Sequence, residues 1–366
     1  MRPFLVSSLL LALLGAGCST SSKDTSADAK PVLVDIANDV ILPTYRAADA
    51  SADALRVAVK ALDAAPSATT LTAAQSAWRA ARKDWHQGEA FRFGPVKTKD
   101  ISGAIDYWPA RGEAIDAFIT GPSEVNAASL AALGANARGF QAIEYVLFDS
   151  AAGDAAVLTR LTTDPAAKRR MLYLVTAAEH LEGKTSELYA AWDPAAGNFA
   201  RELTEAGSGA ALFPSAKSAV DQLVNSTVFA VDLVTGTKIG KPYGTKSGGN
   251  PVADQEESPR SDNSIADMLD TLEGAKNVYV GAKSRKGLGD LVRAKSPALD
   301  TRVLALIEDA KAKIAAIPPP FRTAITTQRP AVEAAYQAMR ALKNALQTEV
   351  TGALATTLQF NDNDGD

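Results

Sequence analysis

The sequence predicts an all-α protein built as two helical, four-helix-bundle-like domains. Three observations predict it. Apolar residues recur at helical spacing from Pro31 almost to the C-terminus, alternating strand-length runs with hairpin turns are missing, and Pro or Gly clusters punctuate the periodic segments. With 366 residues, 46% of them hydrophobic, the chain has material for about two domains with sizeable cores.

Leu33, Ile36 and Val40, followed by Leu55, Val59 and Leu62, mark a long first helix, bent near Pro43 and closed by Pro66. A second helix starts near Leu71, carries Trp78, Ala81, Trp85 and Glu89 on one side, and breaks at Gly94-Pro95. A short helix is expected over Glu113 to Ile119, another over residues 126–149, and a long one from Pro165 to Trp192. Asp193-Pro194-Ala195-Ala196-Gly197 is the candidate boundary between the domains, 31–193 and 194–366. Beyond it, Val220, Leu223, Val224, Val228 and Val231 keep helical spacing, and 240–263 reads as a long loop rich in Gly, Pro and Ser. Helices are then expected at about 264–281, 298–317 and 329–358, the last two separated by Pro318-Pro319-Pro320. Four major helices in each half suggest a duplication, although no residue-level repeat shows it.

Residues 1–17 have the form of a lipoprotein signal peptide: Arg2, an apolar run from Phe4 to Leu14, then Gly15-Ala16-Gly17 before Cys18, the only cysteine. This resembles a bacterial lipobox, with Gly15 where the pattern usually has Leu and an ordinary signal peptide as the alternative, so Cys18 is the expected lipidation site and residues 18–30 a disordered tether. The protein is therefore expected at the membrane through Cys18, facing the periplasm. Ser19 points to the outer membrane. With Cys18 acylated, no thiol is left for a disulfide or a thiolate metal site. A net charge of −4, mixed along the chain without a basic stripe, excludes a nucleic-acid surface.

The chemistry concentrates in few places. There are two histidines, His86 and His180, and no HExxH, GxSxG or GxxxxGK pattern. Asp362 to Asp366 read as a solvated acidic tail rather than a calcium loop, because the chain ends before a bidentate Glu. Glu144 stands out in the apolar run from Gly139 to Phe148, since a buried carboxylate needs a partner or a task. An Arg partner would make it a core ion pair in a structural or interaction module; a ligand would make it functional. His86 and Glu89, at i, i+3, share one helix face, with Arg92 as a nearby counter-charge. If Glu89 and Glu144 converge, repulsion should raise the proton affinity of one unless a cation lies between them. The long loop adds Glu257, Ser258 and Ser261, and Ser261, Asp262 or Asn263 could cap the next helix.

Five stretches in order, AWRAARKDWHQGEAFRFGP (77–95), YWP (107–109), GFQAIEYVLF (139–148), the KIGKPYG and EESPRSDNS loop, and FNDNDGD at the end, resemble the imelysin family. That resemblance implies two α-helical bundles, an envelope location, a link to bacterial iron uptake with its uptake components as partners, and a classification among metallopeptidases. The family motif GxHxxE falls here on Gly139, Gln141 and Glu144, with Gln141 where the motif has His. A carboxamide is a weaker metal ligand than an imidazole. The expectation is thus a non-catalytic binding protein, with a metal-dependent peptidase as the alternative. The expected ligand-binding residues are Glu89, Arg92, Gln141, Glu144, Glu257, Ser258 and Ser261. Any metal, iron or another divalent ion, is expected at Glu144, Glu89 and His86.

Overall fold

The computed structural model describes residues 26–99, 101–282 and 286–359. Cys18 and the acidic tail lie outside them. Among the described residues the chain is helical and contains no strand. The longer helices are α1 (Ser26–Asp35), α2 (Leu42–Ala64), α3 (Ala68–Gln87), α4 (Gly112–Thr120), α5 (Gly139–Leu147), α6 (Asp154–Thr162), α7 (Ala167–Trp192), α8 (Ala216–Asp232), α9 (Ser264–Val280), α10 (Leu288–Lys295), α11 (Pro297–Ala315) and α12 (Arg329–Asn344).

The bend near Pro43 has a definite form. Residues Ile36–Ile41 make a π-helical turn that runs directly into α2, so the widened turn falls just ahead of Pro43, which has no N–H to give the helix ladder. α3 begins earlier than Leu71 because Ser67 and Thr70 close a capping box over its first amides. It also ends earlier, passing at Gly88–Phe91 into a 3₁₀ turn. The helix expected over 126–149 is instead a short helix, a 3₁₀ turn and α5. Gly139 opens α5 at φ 76°, and a Cβ there would lie 2.2 Å from the Ile105 carbonyl oxygen, so only glycine fits. The expected 240–263 loop contains the short turns Lys241–Tyr243 and Ala253–Gln255, and α8 runs directly into a π-helical segment, Leu233–Gly240. α6 and α10 were not anticipated from the spacing. The last expected helix is continuous to Leu354 through a π-helical stretch, Ala345–Val350.

α2 packs along α3 and α7, and α11 along α12. α9 lies against both α3 and α8 and so joins the two halves, while α1 packs on α8. The buried apolar residues form one cluster running through both halves, including Trp78, Phe140 and Trp192 on one side and Tyr279 and Phe321 on the other. Gly274 sets the closeness of the α3–α9 contact. A Cβ on it would sit 2.1 Å from the Gln87 carbonyl oxygen, so α9 reaches the end of α3 only because residue 274 has no side chain. Among the described residues no helix is long and apolar enough to cross a membrane.

Candidate functional site

α3 turns Trp78, Arg82, Trp85 and His86 to its buried face, with Glu89 just beyond its end. α9 brings Asp267 and Thr271 against them, the π-helical segment after α8 brings Lys238, and α5 brings Gln141 and Glu144. The 256–264 loop closes the arrangement with Glu256, Glu257, Ser258 and Ser261. All of these are buried, so their charges must be compensated from within.

Two cations do most of the compensating. Arg82 is wholly buried and stands 2.7 Å from Asp106, 3.1 Å from Asp267 and 3.3 Å from Glu257, with its guanidinium 5.5 Å from the Trp78 and Phe140 ring centres. Lys238 places Nζ 2.7 Å from Glu257, 3.2 Å from Glu89 and 3.2 Å from His86 Nδ1. The His86 ring lies between the two. Its Nδ1 is 3.1 Å from Glu89, and its Nε2 is 3.3 Å from Asp267 without an aligned hydrogen bond. Ser258 and Asn263 donate to Asp267 at 2.5 and 2.8 Å, and Thr271 to Glu89 at 2.5 Å.

The proton affinities follow. Burial and the cations Lys238 and Arg82 press His86 toward its neutral form, but the Glu89 and Asp267 carboxylates outweigh them and lift its pKa to about 9. Burial opposes ionisation of Glu89, yet Lys238 and His86 hold it well below the usual carboxylate range. Asp267 is likewise lowered, against its burial, by Arg82 and His86. Lys238 stays protonated because Glu257 and Glu89 outweigh the cost of its burial.

Glu144 sits at the edge of this cluster and behaves differently. Its Oε1 accepts from Arg260 N at 3.1 Å, Ser261 N at 2.9 Å and Ser261 Oγ at 2.7 Å, so this carboxylate clamps the loop of the second half onto the first. Burial pushes its pKa up to about 7, the Ser261 bonds and Arg82 recovering only part of the cost. Gln141, with its carboxamide oriented so that both ends are satisfied, donates to the Glu257 carbonyl at 2.9 Å and accepts from Arg82 at 3.2 and 3.3 Å. It too ties one half to the other.

Several expectations change here. Glu144 forms no ion pair with an arginine among the described residues; its partners are backbone amides and a hydroxyl. Its raised pKa comes first from burial, not from repulsion by Glu89, whose pKa is lowered. The expected helix cap is not made, since Asn263 donates to Asp267 and makes no side-chain cap bond. Glu89, Gln141, Glu257, Ser258 and Ser261 do converge with His86, while Arg92 stands at the edge, 3.8 Å from Glu89 and partly exposed. Arg82, Lys238 and Asp267, with Asp106 and Thr271 beside them, carried no role in the sequence reading. The available signal was a charged residue on the apolar stripe of its helix, four residues before His86 for Arg82.

The fit of a metal ion can be judged on these contacts. Donor atoms of His86, Glu257 and Asp267 lie within 4.8 Å of one another, as do those of His86, Glu89 and Asp106; Glu144 belongs to neither group. The carboxylate oxygens facing His86 are already met by Lys238, Arg82, Ser258, Asn263 or Thr271. Of the side chains in those two groups, only His86, at Nε2, has a buried atom without an aligned partner, while Glu256 Oε2 and Arg82 Nε lie unpartnered outside them. One free nitrogen is fewer than the three ligands and open position that a catalytic zinc needs, so the side chains as arranged do not fit such an ion.

An open space between the halves lies on the neighbouring face of α3 and α9. It is a groove of about 670 Å³ against α11, lined among others by Lys83, Gln87, Asp270, Glu273, Asn277 and Lys311. Glu273 pairs with Lys311, whereas the side chains of Gln87, Asp270 and Asn277 make no hydrogen bond or ion pair among the described residues. Burial lifts the Asp270 pKa to about 6, His86 beneath it lowering it somewhat.

The imelysin family model matches residues 41–346, most of the chain. The chain is 29% identical over 321 residues to iron-regulated protein A of Synechococcus elongatus, covering 86% of this chain and 83% of that protein. Among solved structures it resembles an iron-regulated protein A precursor from Parabacteroides distasonis, with a TM-score of 0.80 at 25% identity, over 92% of this chain and 97% of that one. An imelysin-like protein from Psychrobacter arcticum shares the fold, with a TM-score of 0.71 at 19% identity over 92% and 99% of the two chains. Helical architecture, the order of the motifs and the matched span agree: the chain belongs to the imelysin family.

Proposed function

We propose that this chain is a non-catalytic binding protein of the cell envelope that serves iron acquisition, held at the outer membrane by lipid on Cys18. The observation that carries the reading is a division at the seam between the halves. The signature residues Gln141 and Glu144 are sealed inside and bonded to the 256–264 loop, while Gln87, Asp270 and Asn277, unpaired among the described residues, face an open groove beside them. Catalysis by a metal needs an open coordination position and a water reaching it, and the sealed cluster is arranged for neither. The groove offers oxygen donors from Asp270, Gln87 and Asn277, which suit a hard cation such as ferric iron carried in a complex. Glu89, Arg92, Gln141, Glu144, Glu257, Ser258 and Ser261 then act as the rigid wall behind the binding face. The iron-regulated naming of two relatives supports the physiological side of the proposal.

Calorimetric titration of the purified protein with ferric citrate, and with citrate alone, tests it. Heat that requires iron and disappears in Asp270→Asn is the expected result; no heat with the folded wild type removes the binding reading. Labelling with a radioactive fatty acid, abolished in Cys18→Ser, tests the anchor.

A further inference from the structure

We propose that the Lys238 ammonium is a built-in substitute for a bound divalent cation, occupying the position at which His86, Glu89 and Glu257 would otherwise ligate a metal. Nζ lies 2.7 Å from Glu257 Oε2, 3.2 Å from Glu89 Oε2 and 3.2 Å from His86 Nδ1. One imidazole nitrogen and two carboxylate oxygens around a single positive centre are the donor set of a borderline divalent ion such as Zn²⁺ or Mn²⁺. The separations are those of hydrogen bonds, about 1 Å longer than metal–ligand bonds, as an ammonium requires.

Lys238 reaches this position from an unusual backbone. It lies in the π-helical segment Leu233–Gly240 and is 1% exposed, so its whole stem is committed to the interior rather than extended to water. Burying a lysine is costly unless its charge is matched, and here the Glu257 and Glu89 carboxylates match it, with His86 Nδ1 held 3.2 Å away. The arrangement is full on the other side of the ring as well. Arg82 stands against Glu257 and Asp267, the two carboxylates that flank His86 Nε2. The family's metal classification and the donor geometry of this chain therefore disagree, and the disagreement has a named cause in two cations supplied by the chain itself.

The inference deepens the non-catalytic reading, and the two can fail separately. Metal held by the wild type at His86 without any cleavage would remove this inference alone; cleavage without metal at His86 would remove the other.

The test uses full-length wild type and Lys238→Met, stripped with a chelator, titrated with Zn²⁺ or Mn²⁺, and read by melting temperature and by metal retained after dialysis. The wild type is expected to retain none at His86 and to melt unchanged. Lys238→Met is expected to retain one equivalent and to melt about 5 °C higher with metal at about a hundredfold excess over the dissociation constant. The further change His86→Gln should abolish that gain. A folded Lys238→Met that ignores metal overturns the proposal, as does wild type that retains metal and loses it on His86→Gln. Should Lys238→Met fold only when metal is present, that supports it; should it fold under neither condition, Lys238→Gln is read in the same way, and a folded Lys238→Gln that retains no metal overturns the proposal.

Discussion

Glu144→Gln is the most informative single substitution, because it keeps the acceptor that clamps the 256–264 loop and removes the charge. In the folded protein the Glu144 carboxyl is raised from its ordinary 4.5 to about 7, with burial as the leading cause. Between these values the folded state holds a proton that the unfolded chain has released, so stability falls as pH rises. The contribution is fully present below pH 4.5 and lost above about pH 7. At ~1.4 kcal/mol per pH unit the loss is about 3 kcal/mol, and a carboxamide avoids it. That loss is already net of the Ser261 bonds to the carboxylate, which a carboxamide oxygen accepts about as a neutral carboxyl does. The variant should therefore be about 3 kcal/mol more stable than wild type at pH 8 and no more stable at pH 4.5. Denaturant unfolding of both proteins from pH 4.5 to 8 measures this. Taking the difference largely cancels the other titrating groups, which the two proteins share. A variant that is less stable at pH 8, or a difference that does not change with pH, would refute the claim that burial of Glu144 is uncompensated.

His86 makes the next prediction. Its pKa is raised from 6.5 to about 9, so it contributes stability below pH 6.5 that is lost as pH rises through 9, and His86→Gln should flatten the alkaline limb of the stability profile. Arg82→Met leaves Asp106, Asp267 and Glu257 without their guanidinium and should cost about 3–5 kcal/mol by chemical unfolding. Gly274→Ala puts a Cβ 2.1 Å from a backbone oxygen of α3 and should lower stability by about 2 kcal/mol or more, which a melting curve will register.

Much of the fold was legible because burial imposes a period. The apolar stripes located the major helices, and Pro66 and the Pro318–Pro320 run marked real ends. The π-helical stretches were hidden, since one extra residue in a turn hardly disturbs an apolar pattern. Glu144 was conspicuous because a carboxylate in an apolar run violates the pattern, but its partners were not, because backbone amides of Arg260 and Ser261 leave no trace in residue identity. Lys238 and Asp267 escaped for a different reason. Lone charged residues on otherwise apolar helices usually turn outward or extend their heads to water. Only the crossing of α9 with α3, which depends on Gly274, brings Asp267 onto Arg82 across more than half the length of the chain.

If the family signature here closes a structural lock and does no metal chemistry, an unfolded protein substrate incubated with the purified chain, with and without a chelator, should show no cleavage beyond that seen with Glu144→Gln and no effect of the chelator. Cleavage that the chelator stops and that Glu144→Gln abolishes would contradict it.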